Sequence, residues 1–162
     1  MSSPRLHHAG VSVADLDRSL QWYCAALGLT PGFRFEVPPI GLRGAFALGD
    51  GGAGVELLEM AGAVPGAPKT DPPSANAIHG FNHVCFHVAD LDAAYVRAIA
   101  HGAVAVWDPR ESPEPAMRMA YVTDPDGNLI ELVAPVPADL IGPARVGPAP
   151  AVPSAADGRA DD

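Results

Sequence analysis

Apolar residues recur at three- and four-residue spacing in Leu16, Leu20, Tyr23 and Leu27, which predicts an amphipathic helix with one buried face. Asp15 stands where an N-cap would be, and Gly28 where the helix would end in a left-handed residue. The arrangement returns further along, with Asp90 as cap, Leu91, Tyr95 and Ile99 on the apolar face and Gly102 near the stop. Before each helix lies a run of small and β-branched residues that reads as a strand, and after it come short apolar stretches separated by turn residues. The clearest is MRMAYVTDPDGNLIELV, in which Asp126-Gly127 joins two strand-like runs into a β-hairpin. Each segment therefore reads βαβββ.

The two segments are copies of one another. HAGVSVADLD at 8–17 is matched by HVCFHVADLD at 83–92, an offset of 75. The same offset of 75 carries Val55-Glu56-Leu57 onto Ile130-Glu131-Leu132, and Arg43-Gly44-Ala45-Phe46 onto Arg118-Met119-Ala120-Tyr121. Three landmarks in register identify an internal duplication. The predicted fold is α+β: two tandem βαβββ modules, at 1–61 and 80–136, forming a curved eight-stranded mixed sheet with helices outside. Residues 62–79, rich in Pro and Gly, read as a linker, and 137–162, rich in Pro and Ala with no aromatic, as a disordered tail.

Composition narrows the partners. The formal net charge of −9 would repel polyphosphate backbones, which argues against nucleic acid. No apolar run is long enough to cross a bilayer and the N-terminus lacks a secretory signal, so the expectation is a cytoplasmic protein without membrane contact. Cys24 and Cys85 form no CxxC pair and are expected to be reduced thiols.

Candidate chemistry lies in four residues. Glu56 in VELLEM and Glu131 in LIELVAP sit inside apolar strand patterns, where an unpaired carboxylate is costly to bury. His8 and His83 also lie in strands, and the shared offset makes the two histidines equivalent and the two glutamates equivalent. Two imidazoles and two carboxylates in symmetric positions suit one divalent ion per site, of Ni, Zn, Co, Mn or Fe, and leave coordination positions open. The structural alternative is that the histidines satisfy strand ends and the glutamates pair with arginines. Glu59, three positions after Glu56, should face the other side of its strand. Arg43 and Arg118 could clamp a carboxylate or phosphate of a substrate, or pair with surface acids. Cys85 and His87 share the strand face of His83 by alternation and are candidates to line the pocket.

In LHHAGVSVADLDRSLQWYCAALGL, VELLEM, FNHVCFHVADLDAA and DPDGNLIELV the chain resembles the vicinal oxygen chelate superfamily. That superfamily includes glyoxalase I, methylmalonyl-CoA epimerase, extradiol dioxygenases and the fosfomycin and bleomycin resistance proteins. The resemblance spans residues 5–135 and implies paired βαβββ units around a metal held by His8, Glu56, His83 and Glu131. Glu at position 56 is closer to glyoxalase I than to the epimerase. Pro39-Ile40 stand where an epimerase places a catalytic acid. A full ligand set implies an enzyme, a lyase or isomerase acting on a small oxygen-chelating molecule. Its metal would stabilise an enediolate or enolate, with Glu56 and Glu131 moving the proton. An Fe(II) dioxygenase of the extradiol type and a metal-independent drug-binding protein are the alternatives. Within the family a cup is built from one chain or from two, and a homodimer is expected here.

Overall fold

The computed structural model describes residues 3–67 and 69–137. The tail expected at 137–162 falls, from residue 138 on, outside the described residues. The first module runs β1 (His8–Ser12), α1 (Leu16–Leu27), β2 (Thr30–Val37), β3 (Leu42–Leu48) and β4 (Gly54–Met60). The second, after a short helix α2 (Pro72–Asn76), runs β5 (Val84–His87), α3 (Leu91–Ala100), β6 (Val104–Glu111), β7 (Met117–Thr123) and β8 (Leu129–Pro135).

Among the described residues eight strands form two four-stranded mixed sheets, ordered β1-β4-β3-β2 and β5-β8-β7-β6, with no ladder joining them. In each, the module's first strand runs parallel to its last, and the remaining pairs are antiparallel. Both long helices start as their caps dictate: Asp15 accepts from the Arg18 amide and Asp90 from the Ala93 amide, each at 3.0 Å. Gly28, at φ 74°, ends α1 by donating its amide to the Cys24 carbonyl.

One face of each sheet packs on its helix. Val55 and Leu57 of β4, Ala45 and Ala47 of β3, and Leu16, Leu20 and Tyr23 of α1 share a core with Ile130, Leu132, Ala120 and Val122 of the second module. α1 and α3 touch across it. On α3 the buried line is Leu91, Ala94 and Ala98 rather than Leu91, Tyr95 and Ile99. The larger side chains of α1 fill the space, so small ones face them from α3, and Tyr95 turns its hydroxyl out to Asp108. The stretch 62–79 is not all linker, because Asp71 caps α2 by accepting from the Ser74 amide at 2.7 Å. Ala75 of α2 packs with Met119, Tyr121 and Leu129 on the second sheet's other face. A helix of five residues is too short to show a period in sequence. No helix among the described residues is long and apolar enough to cross a membrane.

The β7–β8 hairpin carries the junction between modules. Asp124, 2% exposed, accepts from the Asp126 and Asn128 amides at 2.9 and 2.8 Å, and from the Tyr23 hydroxyl of α1 at 3.0 Å. Asp126 accepts from the Ala14 amide at 3.1 Å and pairs with Arg18 at 2.5 Å, while the Asn128 amide group donates to the Ser12 carbonyl at 3.3 Å. The end of β1 thus lies beside the start of β8 and of its parallel neighbour β5. Grooves between the two edge strands agree: one takes Leu6 and His7 with His87 and Val88, the other Gly10 and Ser12 with Asn82 and Val84. β1 and β5 therefore run in opposite directions along the seam.

Removing the hydroxyl in Tyr23→Phe is expected to cost about 1–2 kcal/mol, and Asp124→Ala about 2–4 kcal/mol because several donors lose their acceptor; urea unfolding measures both. Burial, and then the charge of Asp124, push the Tyr23 phenol well above its ordinary range. The fold favours the protonated phenol. That contribution is whole below about pH 10, the unfolded value, and is lost as pH rises beyond it, since the unfolded chain ionises first. Unfolding midpoints taken up the alkaline range should fall more steeply for the wild type than for Tyr23→Phe.

Candidate functional site

With Val55 and Leu57 in the core, Glu56 between them points to the open face of the first sheet, away from the helix. His8 shares that face, and its Nε2 lies 3.3 Å from Glu56 Oε2. The second module repeats the contact, with His83 Nε2 3.1 Å from Glu131 Oε2. Each imidazole is held from behind by the residue before it. His7 Nδ1 and His8 Nδ1 are 2.7 Å apart, and His83 Nδ1 lies 3.0 Å from Asn82 Oδ1. An aromatic ring forms the floor of each pair: Phe46, the register partner of Glu56, meets His8 edge-on at 5.3 Å, and Tyr121, the partner of Glu131, meets His83 at 5.4 Å.

The donor chemistry fits a cation. His83 uses its Nδ1 proton on the Asn82 carbonyl oxygen, which leaves the Nε2 lone pair facing a carboxylate oxygen. Two acceptors this close call for a second proton or a metal ion between them. Ligand bonds of about 2.0–2.2 Å meeting at a right angle would put the two donor atoms about 3 Å apart. Both pairs have nearly that spacing, and the partner on Nδ1 is the usual support of a metal-binding imidazole.

The pairs do not converge. Among the described residues no three His, Cys, Asp or Glu side chains form a group that could hold a metal. β1 and β5 run in opposite directions, so His8 and His83, each at or just before the start of its strand, lie at opposite ends of the seam. One chain presents two equivalent, separate His–Glu pairs.

Arg43 and Arg118 are not an anion clamp. They fall in step with Ala45, Ala47, Ala120 and Val122, on the helix side of their sheets. Arg43 pairs with Asp17 at 2.9 Å and Glu59 at 3.2 Å, and Arg118 with Asp92 at 2.6 Å. Asp17 and Asp92 are themselves related by the repeat, so this is a duplicated structural ion pair. Glu59 faces the helix as expected, accepting from the Leu16 amide at 2.7 Å.

Cys85 is the register partner of Glu131. Burial, followed by the charge of Glu131, pushes its thiol up to about 12, so it stays protonated near neutral pH. His87 lies at the far end of β5, in the groove of about 430 Å³ that it lines with His7, rather than beside His83. Sequence reasoning missed Phe46 and Tyr121, although both end the repeated blocks that drew attention to the arginines. It also passed over Asn82, whose signal, like that of His7, is its place directly before a histidine paired to a glutamate.

Comparison with known proteins bears on the family and the fold. The family description "Glyoxalase/Bleomycin resistance protein/Dioxygenase superfamily" matches residues 5–132. A Synechocystis protein named "Probable lactoylglutathione lyase" is 30% identical over 128 residues, covering 79% of this chain and 93% of its own. A Vibrio cholerae protein of the same name is 30% identical over 137 residues, covering 82% and 92%. Among solved structures, maize glyoxalase I superposes with a TM-score of 0.65 at 23% identity, this chain spanning 47% of the maize chain. A Bacillus cereus glyoxalase family protein reaches a TM-score of 0.67 at 23% identity over 97% of its chain. These two share the fold. By the family match over most of its length, the chain belongs to the glyoxalase/bleomycin resistance/dioxygenase superfamily.

Proposed function

We propose that the protein is a divalent-metal-dependent lyase or isomerase of the glyoxalase kind, acting as a homodimer in which each site takes His8 and Glu56 from one copy and His83 and Glu131 from the other. The observation that carries this reading is the pair of separate, equally built His–Glu half-sets on the open faces of one chain. A two-fold dimer brings the first half-set of each copy to the second half-set of the other, making two equal sites. The relatives named lactoylglutathione lyase favour a thiol adduct of a 2-oxoaldehyde as substrate.

A divalent ion held by these four residues would supply a Lewis acid for two vicinal oxygens, which would acidify the C–H of the sulfur-bearing carbon next to the carbonyl. The residues do the rest. One glutamate accepts that proton from the carbon carrying sulfur and hydroxyl and returns it to the neighbouring carbon. The hydroxyl proton passes to the former carbonyl oxygen, so the adduct becomes a 2-hydroxy thioester with no net gain or loss of atoms. The ring floors of Phe46 and Tyr121 limit water beside the glutamates. The neutral thiol of Cys85 adds no charge next to Glu131.

Metal analysis of protein purified without chelator should give one ion per chain, and EDTA should lower the melting temperature. Bound iron with oxygen uptake would instead indicate a dioxygenase, and no metal with an unchanged melting temperature a metal-independent binder. Glu56→Gln and Glu131→Gln are each expected to lower turnover by about 10²–10⁴-fold with an unchanged far-UV CD spectrum; a fully active double variant would exclude the glutamate mechanism. Shared sites make a further demand. A chain lacking His8 and Glu56, refolded with an equal amount of one lacking His83 and Glu131, should recover about a quarter of wild-type activity through heterodimers that hold one whole site. Two inactive parents that stay inactive when mixed would place each site within one chain.

A further inference from the structure

The stretch between the modules is tied back on itself. Lys69 Nζ donates to the Phe81 carbonyl at 2.8 Å and to the Asn82 carbonyl at 2.7 Å, closing residues 69–82 into a loop that ends just before β5. Inside the loop Asp71 caps α2, and Asn76, the last residue of that helix, accepts from the Asn82 side-chain amide at 2.6 Å. That bond decides which way the Asn82 amide faces. With its NH2 group spent on Asn76, Asn82 turns Oδ1 to His83 Nδ1 at 3.0 Å. An oxygen in that place accepts, so His83 carries its proton on Nδ1 and leaves Nε2 bare toward Glu131 Oε2, 3.1 Å away. An unassisted imidazole prefers the proton on Nε2. The loop reverses that preference.

α2 also reaches the floor of the second His–Glu pair. Ala75, the residue before Asn76, packs with Tyr121, whose ring meets His83 edge-on at 5.4 Å. One short helix thus bears on the ring beneath His83 and on the amide behind it. A helix of five residues has little stability of its own, and Lys69 supplies a charged donor for two carbonyls that it meets only when the loop is closed. The first module is built differently. The position equivalent to Asn82 is His7, an exposed ring, and no helix precedes β1 among the described residues. Its open face is filled from the sheet itself: Phe35, where the second sheet has Arg110, leans on Phe46 and occupies the space over Gly44, so that a Cβ there would overlap the ring.

We propose that residues 69–82 are a clasp that fixes the tautomer and aim of His83, with Lys69, Asn76 and Asn82 as its positioning residues. The use of the Nε2 lone pair, to hold a metal ion, rests on the function proposed above; the clasp itself needs no metal. The test reads the tautomer directly. In metal-free protein labelled with nitrogen-15, at about pH 9 where imidazoles are neutral, proton–nitrogen correlation spectra show which ring nitrogen of His83 carries the proton. Its signals are those lost in His83→Gln. The wild type is expected to hold the proton on Nδ1. Asn82→Ala should move it largely to Nε2, whereas Asn76→Asp, which can only accept, should keep it on Nδ1. Lys69→Met, which unties the loop, should give a mixture of the two forms, and Lys69→Arg should return it toward the wild type. A proton on Nε2 in the wild type, or no movement in Asn82→Ala or in a folded Lys69→Met, overturns the proposal. If Lys69→Met fails to fold by far-UV CD, the asparagine variants decide. Cobalt(II) affinity, from competition with a chelator, should fall about tenfold in Asn82→Ala and stay unchanged in Asn76→Asp; equal affinity of the wild type and Asn82→Ala overturns the positioning role. A wild type that binds no cobalt removes the metal-dependent function, while the tautomer still decides the clasp.

Discussion

Asp124 joins two tasks in one buried carboxylate. It closes the β7–β8 turn by accepting from the amides of Asp126 and Asn128, and it accepts from the Tyr23 hydroxyl across the module boundary. A carboxylate this deep is tolerable only with several donors around it, so the shape of the hairpin tip and the docking of α1 cannot be separated. Once the tip is docked, Asp126 and Asn128 reach the end of β1 and set its direction against β5. The positions of both His–Glu pairs follow from that direction.

The anchor has no twin. The positions equivalent to Asp124 and Asp126 are Gly49 and Gly51, and the position equivalent to Tyr23 is Ala98, none of which can make these bonds. The seam is therefore anchored by this carboxylate network at one end, while at the other, where Arg97 donates to the Ala26 carbonyl, a groove lined by Gly49 and Asp50 stays open. Duplication supplied two equal His–Glu pairs, and divergence around them supplied the asymmetry. Tyr121 stands against Phe46, Arg110 against Phe35, and α2 covers part of the second sheet alone.

What could be read in sequence was what the repeat prints twice or what a short stretch decides alone. The caps at Asp15 and Asp90, the stop at Gly28 and the residues His8, Glu56, His83 and Glu131 are of this kind. The choice between an anion clamp and ion pairs for the arginines stayed open in sequence because their side of the strand depends on register, which sets Arg43 opposite Glu59 and Phe46 opposite Glu56. Whether the His–Glu pairs meet depends on contacts such as Ser12 with Asn128, between residues more than a hundred positions apart. No local pattern encodes such a contact, and the same four ligands suit a one-chain cup and two half-sets equally well.

Gly44 gives the open face of the first sheet its depth. Because the Phe35 ring lies where a side chain would be, the ring is sunk into the sheet surface instead of standing on it. The residue acts as a countersink. Its replacement by alanine would lift the ring without straining the backbone, and so would shift the surface that Phe35 presents to Phe46, the ring that meets His8 edge-on. The level of the aromatic surface beside the His8–Glu56 pair is thus set by a residue that carries no side chain of its own.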